Sequence, residues 1–388
     1  MIYPELIFNH KIFEGLVNAH LANRLPHALI FHGNNGIGKE AHAIEFAAFL
    51  NCISDGRRAC GRCSNCIRIS SFQHGNVKLV VAMPASNKST NIEGGSVHTL
   101  SSTHLKSFMS SLEEKGKDPY YKVNLNSNSI PINIVRELRK DLYMSSIEGG
   151  WRIVIIFDAE KLCTGTQASA NALLKILEEP PEKSLFILVT SYQNQLLDTI
   201  KSRCQSFYFR NPSIKKIKTY LQEKNIDDEK CDILAKISHG NLGLALELFK
   251  NYDYIIKDIK IIFEVFFNKN YSFYKKFQSR LQDLNRTGNR ELFDNFFQLQ
   301  SQLIRDLILM KIDRQSEKIV FSNLKTKYLK IIDDNPNADF HSMLEVIDDA
   351  YRMHKGNVNL TINAISLIFD IESCLKGNEY QGIDVLKY

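Results

Sequence analysis

The chain has 388 residues, 44% of them hydrophobic and 24% charged, with a formal net charge of +6 at pH 7. This length and apolar content predict two or three domains with packed cores, and no apolar run reaches the roughly 18 residues needed to span a bilayer. The modest positive charge permits nucleic-acid binding without arguing for it. Met1-Ile2-Tyr3-Pro4-Glu5-Leu6 lacks a basic stretch followed by an apolar one, so no signal peptide and a cytoplasmic location are expected.

Residues 1–25 read as a helical lead-in, and Ala28-Leu29-Ile30-Phe31 as a short buried strand. Gly33-Asn34-Asn35-Gly36-Ile37-Gly38-Lys39-Glu40 then fits the Walker A pattern up to its last position. In that pattern the glycines let backbone N–H groups turn inward around phosphates, the following helix end adds partial positive charge, and the lysine adds a full one. The last position calls for a Ser or Thr hydroxyl on Mg²⁺, and Glu40 stands there instead. A carboxylate beside a triphosphate costs binding energy. Glu40 therefore either coordinates the metal itself or swings to solvent, and weak or absent binding of ATP and Mg²⁺ is expected. A helix follows over 40–50, with Ala41, Ile44 and Ala48 on one face.

Four of the eight cysteines fall within fifteen residues, as Cys52-x7-Cys60-x2-Cys63-x2-Cys66. The short gaps let thiolates converge, and four thiolates with no open position describe a structural Zn²⁺ site. His74 is near, but four cysteines already complete a tetrahedron. Arg57, Arg58, Arg62 and Arg68 surround the cluster and offer at most weak nucleic-acid contact. A strand is expected at Lys78–Val81.

Residues 84–129 are rich in Ser, Asn, Gly and Lys and read as an insertion in an exposed loop, with one helix near 105–114. Pro131 precedes a helix over 133–144, on which Arg136 and Lys140 share a face with Arg139 beside them. That trio is either a solvated face or a phosphate-backbone contact.

Arg152-Ile153-Val154-Ile155-Ile156-Phe157-Asp158 is a strand ending in an acid, as a Walker B aspartate should be. An active ATPase carries Glu next, to orient water, whereas this chain has Ala159 followed by Glu160, which would point elsewhere. A helix over 168–181, a buried strand from Leu185 to Thr190 and the triplet Ser202-Arg203-Cys204 complete this region. From Ile214 onward the pattern is helical, and Leu292, Phe296, Leu299, Leu303 and Leu307 recur at core-facing spacing with Phe293, Phe297, Ile304 and Ile308 beside them. Strands alternating with helices over 1–210, followed by helices alone, predict an α/β doubly wound parallel sheet joined to all-α parts.

Leu25-Pro26-His27-Ala28 through Gly33, the cysteine cluster, Asn171-Ala172-Leu173-Leu174-Lys175 with Glu178-Glu179-Pro180, and Ser202-Arg203-Cys204 resemble the ATPase modules of bacterial DNA polymerase III clamp-loader subunits. The degraded nucleotide site makes the chain similar to the delta-prime type, a relative of gamma/tau. The resemblance implies an AAA+ P-loop domain over 1–210 holding the zinc module (52–66) and the insertion (84–129), a helical lid over 211–252, and a C-terminal helical collar over 253–388. It implies a degenerate nucleotide site at Gly33, Gly36, Gly38, Lys39, Asp158 and Thr190, zinc at the four cysteines, and DNA contact through Arg136, Arg139 and Lys140. Active relatives place an arginine where Gly243 stands. Arg203 would be an arginine finger reaching the ATP of a neighbouring subunit, among partners that include gamma/tau, delta, the sliding clamp and primed DNA. Two other readings stay open: a gamma/tau-like ATPase rescued by Glu40 and Glu160, and a zinc-containing interaction protein outside replication.

Overall fold

The computed structural model describes residues 1–84, 102–125, 127–143, 149–268, 270–286, 290–355, 359–380 and 382. The chain forms two compact units, one of residues 1–220 with 238–244 and one of residues 221–237 with 245–388.

The first unit is built on a five-stranded sheet of β1 (Ala28–His32), β2 (Val77–Val80), β3 (Arg152–Ile156), β4 (Ser184–Thr190) and β5 (Gln205–Tyr208). The order across the sheet is β2-β3-β4-β1-β5, and every pairing is parallel. Parallel strands covered on both faces need unbroken apolar runs, which is what Ile153–Ile156 and Leu185–Val189 supply. Ile30, Val154, Ile156, Phe186 and Leu188 pack with Leu138, Leu173 and Ile176 from the helices Ile132–Tyr143 and Ala168–Glu178. The alternate strand residues face the other way, where the helix Lys39–Leu50 packs on β1, β3 and β4. That helix is buried along nearly its whole length, with Phe13 of the helix His10–Leu21 against Phe46 and Phe49.

The α/β plus all-α class expected from sequence is the class adopted. Sequence reading missed β5, whose Gln205-Ser206-Phe207-Tyr208 is mostly exposed and, among the described residues, pairs with β1 alone at the sheet edge. An edge strand needs no continuous apolar run, so periodicity gives little sign of it. The insertion carries a helix longer than foreseen, Ser102–Lys117, while residues 85–101 and 126 lie outside the described residues. Met144, the expected end of the next helix, lies outside them too.

The second unit is helical, with long helices at Tyr252–Phe266, Tyr271–Arg286, Arg290–Ile312, Phe340–Lys355 and Leu360–Leu375. Phe293, Phe296, Phe297, Leu299, Leu303, Ile304 and Leu307 are all buried, so the face singled out by its spacing is core, with Leu292 and Ile308 half-buried at its margins.

Asp306 interrupts this face and is fully buried. Its carboxylate accepts from Val320 N (3.0 Å), Phe321 N (2.9 Å), Gln302 Nε2 (3.0 Å) and Tyr328 Oη (3.3 Å), tying the helix Arg290–Ile312 to the segment after it. Burial pushes its pKa up, and the backbone N–H groups of Phe321 and Val320 work against that shift. Each buried donor left without a partner costs about 1–3 kcal/mol. Asp306→Ala is therefore expected to destabilise the chain by about 3–5 kcal/mol in urea titration. A loss below about 1 kcal/mol would show that these donors find other partners.

Candidate functional site

The loop from Gly33 to Lys39 joins β1 to the helix Lys39–Leu50 at the C-terminal edge of the sheet, where ligands of open α/β sheets bind. Gly36 and Gly38 hold φ of +66° and +84°, which side chains rarely adopt. Lys39 is buried, and its ammonium donates to Gly33 O (2.8 Å), Asn34 O (2.5 Å) and Ser191 Oγ (3.1 Å). Its three protons are thus spent inside the loop and on the residue after β4. Desolvation lowers its pKa to about 8, against the pull of Glu40.

The segment bearing Gly243 lies directly on this loop. Gly243 N donates to Gly36 O at 3.0 Å, and a Cβ on Gly243 would stand 3.1 Å from Gly36 Cα. A Cβ on Gly36 would in turn collide with Asn241 Oδ1. A side chain at 243 would require this backbone contact to give by a few tenths of an ångström.

Glu40 does not swing to solvent, the second of the alternatives expected for it. Its Oε2 pairs at 2.5 Å with the Lys115 ammonium, from the insertion helix Ser102–Lys117. Lys115 is 1% exposed, and its remaining protons go to Tyr121 O (2.7 Å) and Pro119 O (3.1 Å). The insertion is therefore packed into the site at this point.

Asp158 lies just past β3 with φ +47°. Its carboxylate pairs with Lys161 (3.1 Å) and with Lys122 (3.6 Å), again from the insertion. Ala159–Cys163 form a 3₁₀ turn that swings Glu160 inward. Glu160 Oε2 accepts the Thr190 hydroxyl at 2.5 Å and is buried, which raises its pKa. The turn brings Glu160 to Thr190 at the end of β4, so Glu160 does not point away from the site as sequence suggested. The loop, Asp158, Glu160 and Thr190 thus sit together, with their polar groups satisfied by the chain itself.

Arg203 lies in the turn after the short helix Asp198–Lys201. Cys204 beside it packs against the core, so the triplet turns one residue inward and leaves Arg203 near the surface, 36% exposed at the side chain. Its guanidinium donates to Glu178 Oε1 (2.8 Å) and Thr199 O (3.0 Å). Glu178 ends the helix Ala168–Glu178, so the two sequence motifs meet here.

Cys52, Cys60, Cys63 and Cys66 converge, with all four Sγ atoms within 4.8 Å of one another. Sulfur separations of 4.0 Å (52–63), 3.9 Å (60–66) and 3.8 Å (52–66) match the edge of about 3.8 Å that a tetrahedron of 2.3 Å metal–sulfur bonds requires. Backbone N–H groups of Cys60, Cys63 and Cys66 donate to the sulfurs of Cys52, Cys60 and Cys63. The backbone N–H of Arg62 helps bring the Cys60 thiol down to about 5, whereas burial raises that of Cys66. The donor set fits a metal ion closed to substrate.

Arg136, Arg139 and Lys140 are exposed on the helix Ile132–Tyr143, whose other face buries Val135, Leu138 and Leu142. The Arg139 guanidinium lies 5.9 Å from the Tyr143 ring centre. Among the described residues, no helix is long and apolar enough to cross a membrane.

The family described as DNA polymerase III, delta subunit matches residues 8–213. The DNA polymerase III subunit delta' of Bacillus subtilis is 25% identical over 356 residues, which cover 90% of this chain and 92% of that protein. The delta' subunit of Escherichia coli is 30% identical over 240 residues, 61% of this chain and 59% of that protein. The tau/gamma subunit of Haemophilus influenzae is 27% identical over 253 residues, 63% of this chain and 30% of that protein. Among solved structures, a DNA polymerase III gamma subunit-related protein of Thermotoga maritima aligns over 94% of this chain and 99% of its own at 16% identity, with a TM-score of 0.40.

Proposed function

The chain belongs to the DNA polymerase III delta-subunit family, of the delta-prime type, and from that premise we propose that it is a clamp-loader subunit that does not hydrolyse ATP and lends Arg203 to the nucleotide of a neighbouring subunit. The observation that carries this reading is the contrast between the two ends of the same sheet region. The chain's own loop is closed by Lys39, Gly243 and Lys115, while Arg203 stands near the surface on a turn anchored by Cys204. Glu40, Ala159 and Gly243 leave no hydroxyl for Mg²⁺, no water-orienting acid beside Asp158 and no cation from the helix that begins at Leu242.

The neighbour would be a gamma/tau-type ATPase, in a cytoplasmic assembly with delta that opens the sliding clamp and closes it on primed DNA. Residues 211–252 would act as a lid and 253–388 as the collar that holds the subunits together. Zinc at the four cysteines would be structural, holding Cys52 to the helix Ser64–Ser70. Phosphates of the DNA would meet Arg136, Arg139 and Lys140.

Purified alone, the chain is expected to show no ATP turnover above a Lys39→Ala control. Turnover clearly above that control would favour the gamma/tau-like reading. Removing two phosphate contacts should also flatten the salt dependence of DNA binding by the assembled loader. For Arg136→Ala with Arg139→Ala, the slope of log K against log salt is expected to fall by about 2. An unchanged slope would place these arginines away from DNA.

A further inference from the structure

The loop and Asp158 are held by groups from the insertion, and those groups are cations. Lys115 spends one proton on Glu40, at the position where a metal-binding hydroxyl is missing, and the others on carbonyls of Pro119 and Tyr121. Its ammonium also faces the Phe157 ring, 5.7 Å from the centre, beside the acid that follows β3. Lys122 stands 3.6 Å from that acid, Asp158. Between the two lysines, Tyr120 is wedged against the loop. Its hydroxyl accepts Ile7 N at 2.6 Å, its ring meets Tyr220 edge-on at 5.8 Å, and its Cε1 lies 3.3 Å from where a Cβ on Gly38 would be. The Tyr3 hydroxyl donates to Lys115 O at 2.8 Å, so the N-terminal segment clasps the insertion from its other side.

We propose that residues 115–122 are a built-in plug of the nucleotide site, in which the ammonium groups of Lys115 and Lys122 replace a divalent cation beside Glu40 and Asp158 and Tyr120 closes the flank of the loop. Half-buried acids at a metal position are ordinarily neutralised by a bound ion. Here the chain supplies the positive charge covalently, with every Lys115 proton matched to an oxygen, so the arrangement needs neither metal nor nucleotide to be satisfied. This deepens the reading of the chain as a subunit without turnover and rests on it. It assigns the insertion a task, which is to hold the module in one nucleotide-independent shape.

The test uses the full chain, with Mn²⁺ followed by electron paramagnetic resonance and a fluorescent ADP analogue followed by titration. The wild-type chain is expected to bind neither at millimolar concentration. Lys115→Met with Lys122→Met leaves Glu40 without its cation and Asp158 with Lys161 alone, and is expected to bind Mn²⁺ at least tenfold more tightly than wild type. Lys115→Arg should behave as wild type. Saturable micromolar binding of Mn²⁺–ADP by the wild-type chain would overturn the plug, as would a folded double variant that binds Mn²⁺ no better. Should the double variant fail to fold, hydrogen exchange of the wild-type chain decides. Unchanged protection at Gly36–Lys39 and Lys115–Lys122 with Mg²⁺–ADP added supports the plug, and altered protection overturns it. None of these readouts involves Arg203, so the plug and the trans-acting arginine can fail separately.

Discussion

Stripping the metal from Cys52, Cys60, Cys63 and Cys66, or replacing any one of them by Ser, is expected to destabilise the first unit by about 5 kcal/mol or more. The four sulfurs are already within 4.8 Å of one another, a spacing that places several partly charged thiolates together unless a cation binds them. Binding energy at a structural zinc is folding energy, and apparent values reach about 10–16 kcal/mol in small zinc peptides. This unit has a large apolar core besides, so it should loosen around residues 52–70 before it unfolds. Melting with and without chelator, together with metal content near one zinc per chain, checks this. Protein purified without chelator that carries no metal and melts unchanged would contradict it.

Arg203→Ala is expected to leave the chain folded and able to assemble, yet to lower ATP hydrolysis at the served site by about a thousand-fold, the low end of what an arginine finger contributes. The Glu178 pair must open for the side chain to reach a neighbour. Both partners are substantially exposed, 36% and 50%, and such surface pairs are worth about 0–1 kcal/mol, so release is easy. Glu178→Ala should therefore keep turnover at or slightly above the wild-type rate. Arg203→Lys should not rescue it, because an ammonium lacks the planar paired donors that a phosphate accepts. Steady-state hydrolysis by rebuilt complexes, matched for assembly by gel filtration, reads all three variants.

Four of the five strands and the cysteine site were legible because their signals are local. Leu185–Val189 is an unbroken apolar run, and Cys60, Cys63 and Cys66 sit at fixed short gaps. The class of the helical half was legible from the spacing along 292–307. What escaped depends on residues far apart in sequence. Glu40 looks like a simple defect until Lys115 is seen to pair with it, and nothing in a Ser- and Lys-rich insertion marks one lysine as buried. Glu160 seemed misdirected because the 3₁₀ turn after Asp158 cannot be read from periodicity. Asp306 gave no warning either, since its partners at Val320 and Phe321 are backbone groups. Arg203 and Cys204 are marked in the sequence by the Ser-Arg-Cys triplet alone. The geometry adds why they occur together, with the cysteine packed inward and the arginine left outside.

The central claim is that this chain hydrolyses nothing itself and supplies Arg203 to its neighbour. It is tested most directly by clamp- and DNA-stimulated ATP hydrolysis in complexes rebuilt in four combinations. The chain is wild type or Arg203→Ala, and the catalytic partner is intact or lacks its own phosphate-loop lysine. Removing the partner's lysine should abolish turnover with either form of the chain. With the intact partner, Arg203→Ala should abolish the turnover of the one site it faces while leaving any other sites active. Hydrolysis that survives loss of the partner's lysine and disappears with this chain's Lys39, or equal rates for wild type and Arg203→Ala at equal assembly, would contradict the account.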